Sequence, residues 1–301
     1  MERWAFFSGP LSRMGLAEMF PGGPVGGVAR VLAAVLGVLL LLGAAVWLFR
    51  LEALFLYHPE GTYTTTPDGM GISFRPLAFR ATDGVLLQGW LLPAEGARLA
   101  LVRFNGNAGT MADRLAWVQL LRRHLGIPAT ILLFDYRGFG RSEGRPSEEG
   151  LYRDGAAAAA ALRAGAAGLP VVCVGESLGT AVAVALAAED RCDSLVLEAP
   201  FLSVPALADE LLPPLPLGLF VRMSFDSLAR IPRVRVPLLV AHAEDDRLIP
   251  IRHAERLVAA ATAPARLIRL PQGGHSDAIF QRADLYVPAL AAFLRETHRL
   301  D

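Results

Sequence analysis

The sequence contains no lysine, and all 29 of its basic residues are arginine. This usage indicates codon bias in a GC-rich genome and not a binding surface. The 29 acidic residues balance the arginines, so the formal net charge at pH 7 is zero and the isoelectric point is about 7.0. A chain without excess positive charge lacks the electrostatic attraction that nucleic acid requires, and we therefore expect no nucleic-acid partner.

Cysteine is also scarce, and the two present, Cys173 and Cys192, do not have the spacing of a metal or redox motif. Cys173 lies inside one apolar run and Cys192 lies just before the next. If these runs are adjacent parallel strands, the two sulfurs lie near opposite strand ends, about 15 Å apart at ~3.3 Å per residue. That separation predicts that no disulfide forms between them, and the sequence implies no metal and no other cofactor.

Charge is absent from one long stretch near the N-terminus, residues 31–49, while the mean hydropathy of the whole chain is +0.40. As a helix this stretch spans about 28 Å, close to the ~30 Å hydrocarbon core of a bilayer. A buried core helix rarely lacks a polar face. A cleaved signal peptide, for which "GAA" could mimic a cleavage site, starts and ends nearer the first residue. The sequence therefore predicts an uncleaved transmembrane anchor at residues 28–50, after a flexible tail at residues 1–27.

The charges around this span indicate its orientation. Arg3, Arg13, Arg30 and the terminal amine precede it, whereas only Arg50 follows closely. The positive-inside rule then predicts a cytoplasmic N-terminus. The rest of the chain is expected on the outer face, most simply the periplasmic side of a bacterial inner membrane. The sequence leaves the oligomeric state open.

After a stem at residues 51–72, short apolar runs alternate with helix-like stretches up to the C-terminus. Seven runs are predicted to be strands: 85–92, 99–104, 129–135, 170–175, 194–199, 237–242 and 265–270. Five helices are predicted around them: 110–124, 148–165, 178–190, 250–261 and 277–297. Strands that alternate with helices predict an α/β fold with a mostly parallel sheet, here as one domain over residues 73–301.

Two serines, Ser142 and Ser177, lie in the pattern Gly-x-Ser-x-Gly, and the pattern alone does not choose between them. A serine nucleophile needs a buried strand before it and a helix directly after it, because the sharp turn lifts the hydroxyl above the sheet. Ser177 has both, in "VVCVGESLGTAVAVALAAE". Ser142 follows the polar turn "DYRGFGR", and Pro146 delays the next helix to Ser147. Ser177 is therefore the candidate nucleophile, and Ser142 is interpreted as a turn residue.

The position of each histidine relative to the predicted strands selects a base. His275 lies on a glycine-rich loop directly after the last strand, where parallel sheets carry functional groups. The other histidines fall in the stem, in helices or at a strand end: His58, His124, His242, His253 and His298. An acid that orients His275 should follow a strand between Ser177 and His275. Spacing leaves several carboxylates open: Glu244, Asp245, Asp246 and, after the preceding strand, Glu198.

Taken together, these stretches resemble the α/β-hydrolase superfamily. "FNGNAG", "FDYRGFGRSEG", "GESLG", "EAPF", "AEDDRLIP" and "GGHSD" occur in its order and spacing over roughly residues 50–297. The stem "LYHP" and the entry "DGVLLQGWLLP" resemble its membrane-anchored serine hydrolases, which include protein depalmitoylases and lysophospholipid lipases. The resemblance implies the α/β-hydrolase fold, with a mostly parallel eight-stranded sheet flanked by helices.

The same resemblance implies the acid of the triad. The usual pattern of this branch, His-Gly-x-x-Asp-x-x-x-Pro, runs here from His242 to Pro250, with Ala243 in place of the glycine. This match implies Asp246 as the acid, in preference to Asp245.

The resemblance also implies an oxyanion hole made of backbone N–H groups. One belongs to Leu178, directly after the nucleophile, and the other to Asn107, in the loop after an early strand. The family more often has His-Gly where this chain has Asn105-Gly106, a change of little consequence because the donor is main chain. Asp135 matches a turn residue of the family and is interpreted as structural.

These residues predict a membrane-anchored serine hydrolase that cleaves a carboxylic ester or thioester. Ser177 attacks, His275 carries the proton and Asp246 orients His275. Residues 201–235, in the position of a cap, are apolar and proline-rich. This composition favours a lipid-like acyl substrate, although the segment could equally be a packing element.

Two other functions fit the same fold. A serine peptidase of the aminopeptidase type would need acidic residues in the cap to bind a substrate amine, for which Asp209-Glu210 gives slight support. A non-catalytic binding or scaffold protein would not need the apparently complete triad.

Overall fold

The computed structural model describes residues 24–49, 52–211 and 217–300. Most of the predicted tail lies outside these residues, as do Arg3, Arg13 and Arg50. The first described element is helix α1 (Pro24–Phe49). Over Gly27–Ala45 it is long and apolar enough to cross a membrane, and no residue of that window is fully buried.

The described residues form strands and helices in regular alternation. The strands are β1 (His58–Pro59), β2 (Arg75–Arg80), β3 (Leu86–Leu92), β4 (Leu99–Phe104), β5 (Ala108–Gly109), β6 (Ala129–Phe134), β7 (Val171–Glu176), β8 (Ser194–Glu198), β9 (Leu238–Ala243) and β10 (Ala265–Leu270). The helices after α1 are α2 (Glu52–Leu56), α3 (Leu115–His124), α4 (Glu148–Gly165), α5 (Leu178–Ala187), α6 (Val204–Leu211), α7 (Ser227–Arg230), α8 (Arg252–Ala260), α9 (Ala278–Gln281) and α10 (Ala283–His298).

Eight strands form one sheet in the order β10-β9-β8-β7-β4-β6-β3-β2. The pairs from β10 to β6 are parallel, whereas β3 runs antiparallel to both β6 and β2. All seven predicted strands are present with each end within one residue of its prediction, which confirms the predicted fold class. The eighth strand, β2, was missed because its "RPLAFR" sequence is charged and lies at the exposed edge of the sheet.

Burial explains why the central strands have continuous apolar sequences. Every residue of β4, β6, β8 and β9 is buried, because helices cover both faces of the sheet. One hydrophobic core lies on each face, and α5 is buried along its whole length. Unlike most core helices, α5 is buried on all sides and needs no polar face, which accounts for the apolar sequence that follows Ser177.

The prediction that no disulfide forms is wrong. Cys173 and Cys192 are disulfide-bonded, with their Cα atoms 5.8 Å apart. β7 continues to Glu176, so Cys173 lies nearer the amino end of its strand, where it is level with Leu195 of β8. Cys192 lies just before β8, next to Asp193, whose N–H donates to the Val171 carbonyl at 2.7 Å, so both cysteines lie toward the amino edge of the sheet.

Backbone pairing joins the stem to the rest of the domain. β1 pairs in parallel with β5, so that His58 lies level with Ala108. Further along the stem, the Tyr63 hydroxyl donates to Asp135 Oδ2 at 2.7 Å. The chain that leaves α1 is thus connected directly to the loop after β4.

Candidate active site

Ser177 occupies the turn between β7 and α5, at the carboxyl edge of the sheet. Its φ of 49° and ψ of −117° are strained for a residue with a side chain, as expected of a nucleophile turn. The Ser177 N–H donates to the Glu198 carbonyl at 2.9 Å. Strand and helix approach so closely that a Cβ on Gly175 would lie 2.6 Å from the Gly179 oxygen and the Thr180 Cα. Glycine is therefore required at position 175.

The side chains of Ser177, His275 and Asp246 form one hydrogen-bonded series. His275, on the loop after β10, has Nε2 at 2.9 Å from Ser177 Oγ. Its Nδ1 lies 2.8 Å from Asp246 Oδ2, on the loop after β9. Since a carboxylate accepts hydrogen bonds, Nδ1 carries the proton and Nε2 is left to accept the serine hydroxyl. The structure thus brings together the three residues selected from the sequence.

Asp246 is held by further donors. One of them is His242, which the sequence analysis placed at a strand end and gave no role in the site. Oδ1 accepts the N–H groups of Leu248 and Ile249, both at 2.9 Å. Oδ2 also lies 3.3 Å from Nε2 of the buried His242. Burial alone raises the pKa of Asp246, but the hydrogen bonds from His242, His275 and Ile249 outweigh it and hold that pKa well below its usual range. Asp246 is therefore ionised at neutral pH.

Asp245 has a different environment from its neighbour. Its carboxylate accepts the N–H groups of Gly274 at 2.9 Å and Gly273 at 3.3 Å, and its side chain is exposed. Asp245 therefore ties the loop that carries His275 without contacting the imidazole itself.

Glu198 belongs to a buried cluster that the sequence analysis did not predict. Its Oε2 accepts from Arg103 Nη1 at 2.6 Å. Its Oε1 accepts from the Trp117 indole at 3.2 Å and from the Tyr286 hydroxyl. None of these three bonds involves His275, so the Glu198 side chain is not a member of the Ser177–His275–Asp246 series. The single signal in the sequence was an arginine in the middle of the apolar run "LALVRF".

The same cluster extends to Glu176, the residue directly before Ser177. Arg103 Nη2 donates to Glu176 Oε2 at 2.8 Å, and Arg114 Nε lies 3.3 Å from the same oxygen. Burial raises the pKa of Glu176, but the charges of Arg114 and Arg103 outweigh it, so the pKa lies below its ordinary value. An ionised, paired carboxylate therefore lies directly beside Ser177.

A cavity of about 430 Å³ opens beside Ser177. Its wall combines charged side chains with small and aromatic apolar ones from α3, α9 and the loop after β4; these include Gly106, Asn107, Arg114, Trp117, Glu176, His275, Ile279 and Phe280. None of the described residues between 201 and 235 lines it. Phe201, Leu202 and Phe225 are instead buried in the core, so this part of the segment is a packing element.

The acidic pair in the cap is occupied by structural contacts. Asp209 Oδ1 accepts the N–H of Gly218 at 2.6 Å. Glu210 pairs with Arg252 at 2.6 Å. Neither side chain lines the cavity beside Ser177, so this pair does not support binding of a peptide amine.

The loop that carries Asn107 is fixed by the stem. The Asn107 carbonyl accepts the N–H of His58 at 2.8 Å, and its side-chain amide donates to the Leu56 carbonyl at 2.8 Å. Neither bond uses the Asn107 N–H. Asn105, where the family more often has histidine, donates to the Phe134 carbonyl at 3.0 Å. Ser177 and Asn107 line the same cavity.

Ser142 and Asp135 stabilise the neighbouring turn. The Ser142 hydroxyl donates to the Asp135 carbonyl at 2.7 Å and accepts the N–H of Gln88 at 2.9 Å. The Asp135 carboxylate accepts from Tyr63 and from the N–H of Met111, each at 2.7 Å. Burial raises the pKa of Asp135 to about 6. Both residues thus serve the fold around the stem.

The strand order, with a serine turn after β7 and a histidine loop after β10, defines a class of protein, and the chain belongs to the α/β-hydrolase family. The family model for the alpha/beta hydrolase fold matches residues 100–224. The Mycobacterium tuberculosis protein Rv2307c is 34% identical over 259 residues, which cover 85% of this chain and 91% of that protein. The membrane protein YNL320W of Saccharomyces cerevisiae is 27% identical over 277 residues, 85% of this chain and 95% of that one. These matches confirm the resemblance seen in the sequence.

A solved structure shares the fold. The esterase Pf2001 of Pyrococcus furiosus superposes with a TM-score of 0.67 at 18% identity. The match covers 80% of this chain and 98% of that one. Family and fold together support a hydrolase.

Proposed function

We propose that this chain is a membrane-anchored serine hydrolase that cleaves carboxylic ester or thioester bonds of acyl substrates. The observation that carries the proposal is the series Ser177–His275–Asp246, with contacts of 2.9 and 2.8 Å, on a strained turn beside a cavity. Nucleophile, base and orienting carboxylate in hydrogen-bond contact are the arrangement that activates a serine hydroxyl.

The proposed reaction has two halves. Ser177 Oγ attacks the substrate carbonyl carbon while His275 Nε2 takes the hydroxyl proton. The tetrahedral intermediate collapses, the alcohol or thiol leaves with that proton, and an acyl-serine remains. Water then attacks the acyl-serine with His275 again as base, and the acid product leaves as Ser177 regains its proton. Asp246, ionised throughout, stabilises the imidazolium form of His275 in each half.

The oxyanion of each tetrahedral intermediate needs N–H donors aimed at it. In the proposal these are the backbone N–H groups of Leu178 and Asn107. Leu178 is the first residue of α5, where the helix dipole favours negative charge. The stem supports the second donor, because His58 and Leu56 engage the carbonyl and the side chain of Asn107. Both anchoring bonds restrict the direction of the Asn107 N–H.

The cavity wall supports an acyl substrate. Trp117, Ile279 and Phe280 provide an apolar surface within reach of Ser177. Among the charged side chains of the same wall, Glu176 and Arg114 are paired with each other at 3.3 Å. The esterase that shares the fold is consistent with ester cleavage.

A substrate panel tests this proposal. The full chain in nanodiscs should hydrolyse p-nitrophenyl esters and at least one of two acyl classes, acyl-CoAs or lysophospholipids, and Ser177→Ala should hydrolyse none of them. Aminoacyl p-nitroanilides, which report peptidase activity, should be turned over far more slowly. Faster cleavage of the anilides than of every ester and thioester would contradict the proposal, as would a complete lack of turnover.

The proposed location is a single-pass membrane protein with its catalytic domain on the outer face. The apolar, unburied window of α1 supports the anchor, and one relative is named a membrane protein. The disulfide between Cys173 and Cys192 supports the outer face. Disulfides persist in the periplasm and outside the cell, whereas cytosolic thiols are kept reduced.

Thiol trapping tests this orientation. Cells lysed directly into denaturant with N-ethylmaleimide should yield a chain in which Cys173 and Cys192 are unmodified, because both sulfurs are bonded. Reduction before alkylation should add two labels, measured by intact-mass spectrometry. Cys192→Ser is the matched control and should take up one label without reduction. Two labels on the unreduced wild-type chain would place the domain in a reducing compartment and contradict the orientation.

A further inference from the structure

The part of the domain next to the anchor carries exposed apolar side chains. α2 begins three residues after the last residue of α1. Ala53 and Leu56 of α2 pack against the core, whereas Leu54 and Phe55 are 70% and 76% exposed. This short helix therefore has a buried apolar side and a second apolar side that the protein leaves uncovered. A contiguous exposed apolar patch marks an interaction surface, and these two side chains are candidates for part of one.

A second apolar element reaches the anchor from the cap. The 3₁₀ turn Leu217–Phe220 contacts α1, and the Phe220 ring lies so close to Gly43 that a Cβ there would be 2.6 Å from it. Just after this turn, the Arg222 guanidinium stacks on Trp47, with Cζ 4.6 Å from the ring centroid. The cap is thus packed directly against the anchor helix.

The depth of this contact follows from helix geometry. Gly43 lies inside the apolar window Gly27–Ala45 and four residues before Trp47, which is about 6 Å along the axis at 1.5 Å per residue. Tryptophan is enriched at the boundary between membrane and water, and arginine is favourable among lipid headgroups. With Trp47 and Arg222 at that boundary, the 3₁₀ turn Leu217–Phe220 contacts α1 about 6 Å deeper, on the hydrocarbon side. Leu219, in the same turn, is 77% exposed.

The turn is held by hydrogen bonds on both sides. Before it, Asp209 accepts the N–H of Gly218 at 2.6 Å. After it, the Glu148 carboxylate accepts the N–H groups of Ser224 and Phe225 at 2.6 and 2.7 Å. These hydrogen bonds hold the backbone before and after the turn, so the turn presents the exposed Leu219 side chain in a defined position.

We propose that the bilayer itself is the partner of this surface: Leu219 and Phe220, together with Leu54 and Phe55, insert into the acyl–headgroup boundary of the leaflet where α1 ends. Apolar side chains on a short amphipathic element bind membranes in this way. The inference rests on the proposed anchor and goes further, because the domain is docked on the membrane and not merely tethered to it. The cap follows the carboxyl end of β8 and therefore lies at the same sheet edge as Ser177. Docking of the cap on the membrane thus turns this edge of the sheet toward the bilayer.

Site-specific fluorescence tests the docking. Each variant of the full chain carries one new cysteine labelled with an environment-sensitive fluorophore, since the native cysteines are bonded to each other. The chains are placed in nanodiscs whose lipids are either plain or brominated. The test positions are Leu219→Cys and Phe55→Cys. The controls are Leu36→Cys, exposed in the middle of α1, and Glu189→Cys, exposed after α5 at the opposite edge of the sheet.

The expected result is blue-shifted emission that brominated lipid quenches at Leu219→Cys, Phe55→Cys and Leu36→Cys, but not at Glu189→Cys. Quenching at Leu36→Cys with water-like, unquenched emission at both test positions would overturn the docking and leave the anchor standing. Unquenched emission at Leu36→Cys would overturn the anchor, and the docking with it. Esterase activity of the same preparations separates both failures from a failure of the triad.

Discussion

Asp246→Asn is expected to lower kcat on a p-nitrophenyl ester by about 10⁴, the loss known when a triad carboxylate becomes an amide. The amide keeps the shape of the side chain but presents an N–H where His275 Nδ1 now donates at 2.8 Å. The imidazole then favours the wrong tautomer, with its proton toward Ser177. His242 Nε2 lies 3.3 Å from the same oxygen and contacts the Ile249 carbonyl, so it is a donor. It therefore cannot accept the Nδ1–H of His275 in place of the carboxylate.

Two matched substitutions show whether this loss is specific. Asp245→Asn should change kcat only a few-fold, because its carboxylate contacts Gly273 and Gly274 and the amide oxygen can still accept one of these N–H groups. Glu198→Gln should mainly lower stability, by about 3 kcal/mol, because it removes one of the two carboxylates paired with the buried Arg103. Its kcat should remain near wild type wherever circular dichroism shows folded protein.

Steady-state kinetics with circular dichroism decides among the three carboxylates. A collapse of activity in Asp245→Asn with a normal Asp246→Asn would mean that the family spacing has been applied one residue out of register. A collapse in folded Glu198→Gln alone would place the orienting acid after β8 and contradict the triad.

Local sequence was enough to predict seven of the eight strands of the sheet and to place Ser177 at the turn between β7 and α5. Fully buried parallel strands have continuous apolar sequences, and the position of each run follows from this property alone. Ser177 could be separated from Ser142 because a buried strand precedes it and an uninterrupted helix follows. The structure gives Ser142 the part of a turn residue, with its hydroxyl bonded to backbone groups on either side.

Side-chain chemistry alone did not choose between adjacent carboxylates. Asp245 and Asp246 differ by one position on one loop, and both hydrogen-bond near His275. The choice depends on which of them faces the imidazole, and this direction is set by the turn at Leu248 and Ile249. Only the spacing shared with the family, measured from His242, carried that information.

Features that depend on strand register were beyond the sequence analysis. The disulfide was missed because the end of β7 was placed one residue early and the level of Cys173 relative to β8 was misjudged. The cluster around Arg103 was missed because its members come from β4, β7, β8 and two helices. The pairing of β1 with β5 involves two residues per strand, too few to leave a periodic pattern.

The central claim is that Ser177 is an activated nucleophile. Fluorophosphonates react with serines whose hydroxyl is activated by a neighbouring base, and in this structure Ser177 Oγ lies 2.9 Å from His275 Nε2. Ser177→Ala removes that oxygen and little else, so the variant should stay folded and lose labelling completely. Ser142→Ala loses an acceptor for a backbone N–H, at a cost of about 1–3 kcal/mol, but should keep an intact site.

The most direct measurement is therefore fluorophosphonate labelling of the full-length wild type, Ser142→Ala and Ser177→Ala in one membrane preparation, with the modified peptide identified by mass spectrometry. We expect equal labelling of the wild type and Ser142→Ala, on the peptide that contains Ser177, and none of Ser177→Ala. Labelling that persists in folded Ser177→Ala, or a wild-type label on a peptide without Ser177, would contradict the account.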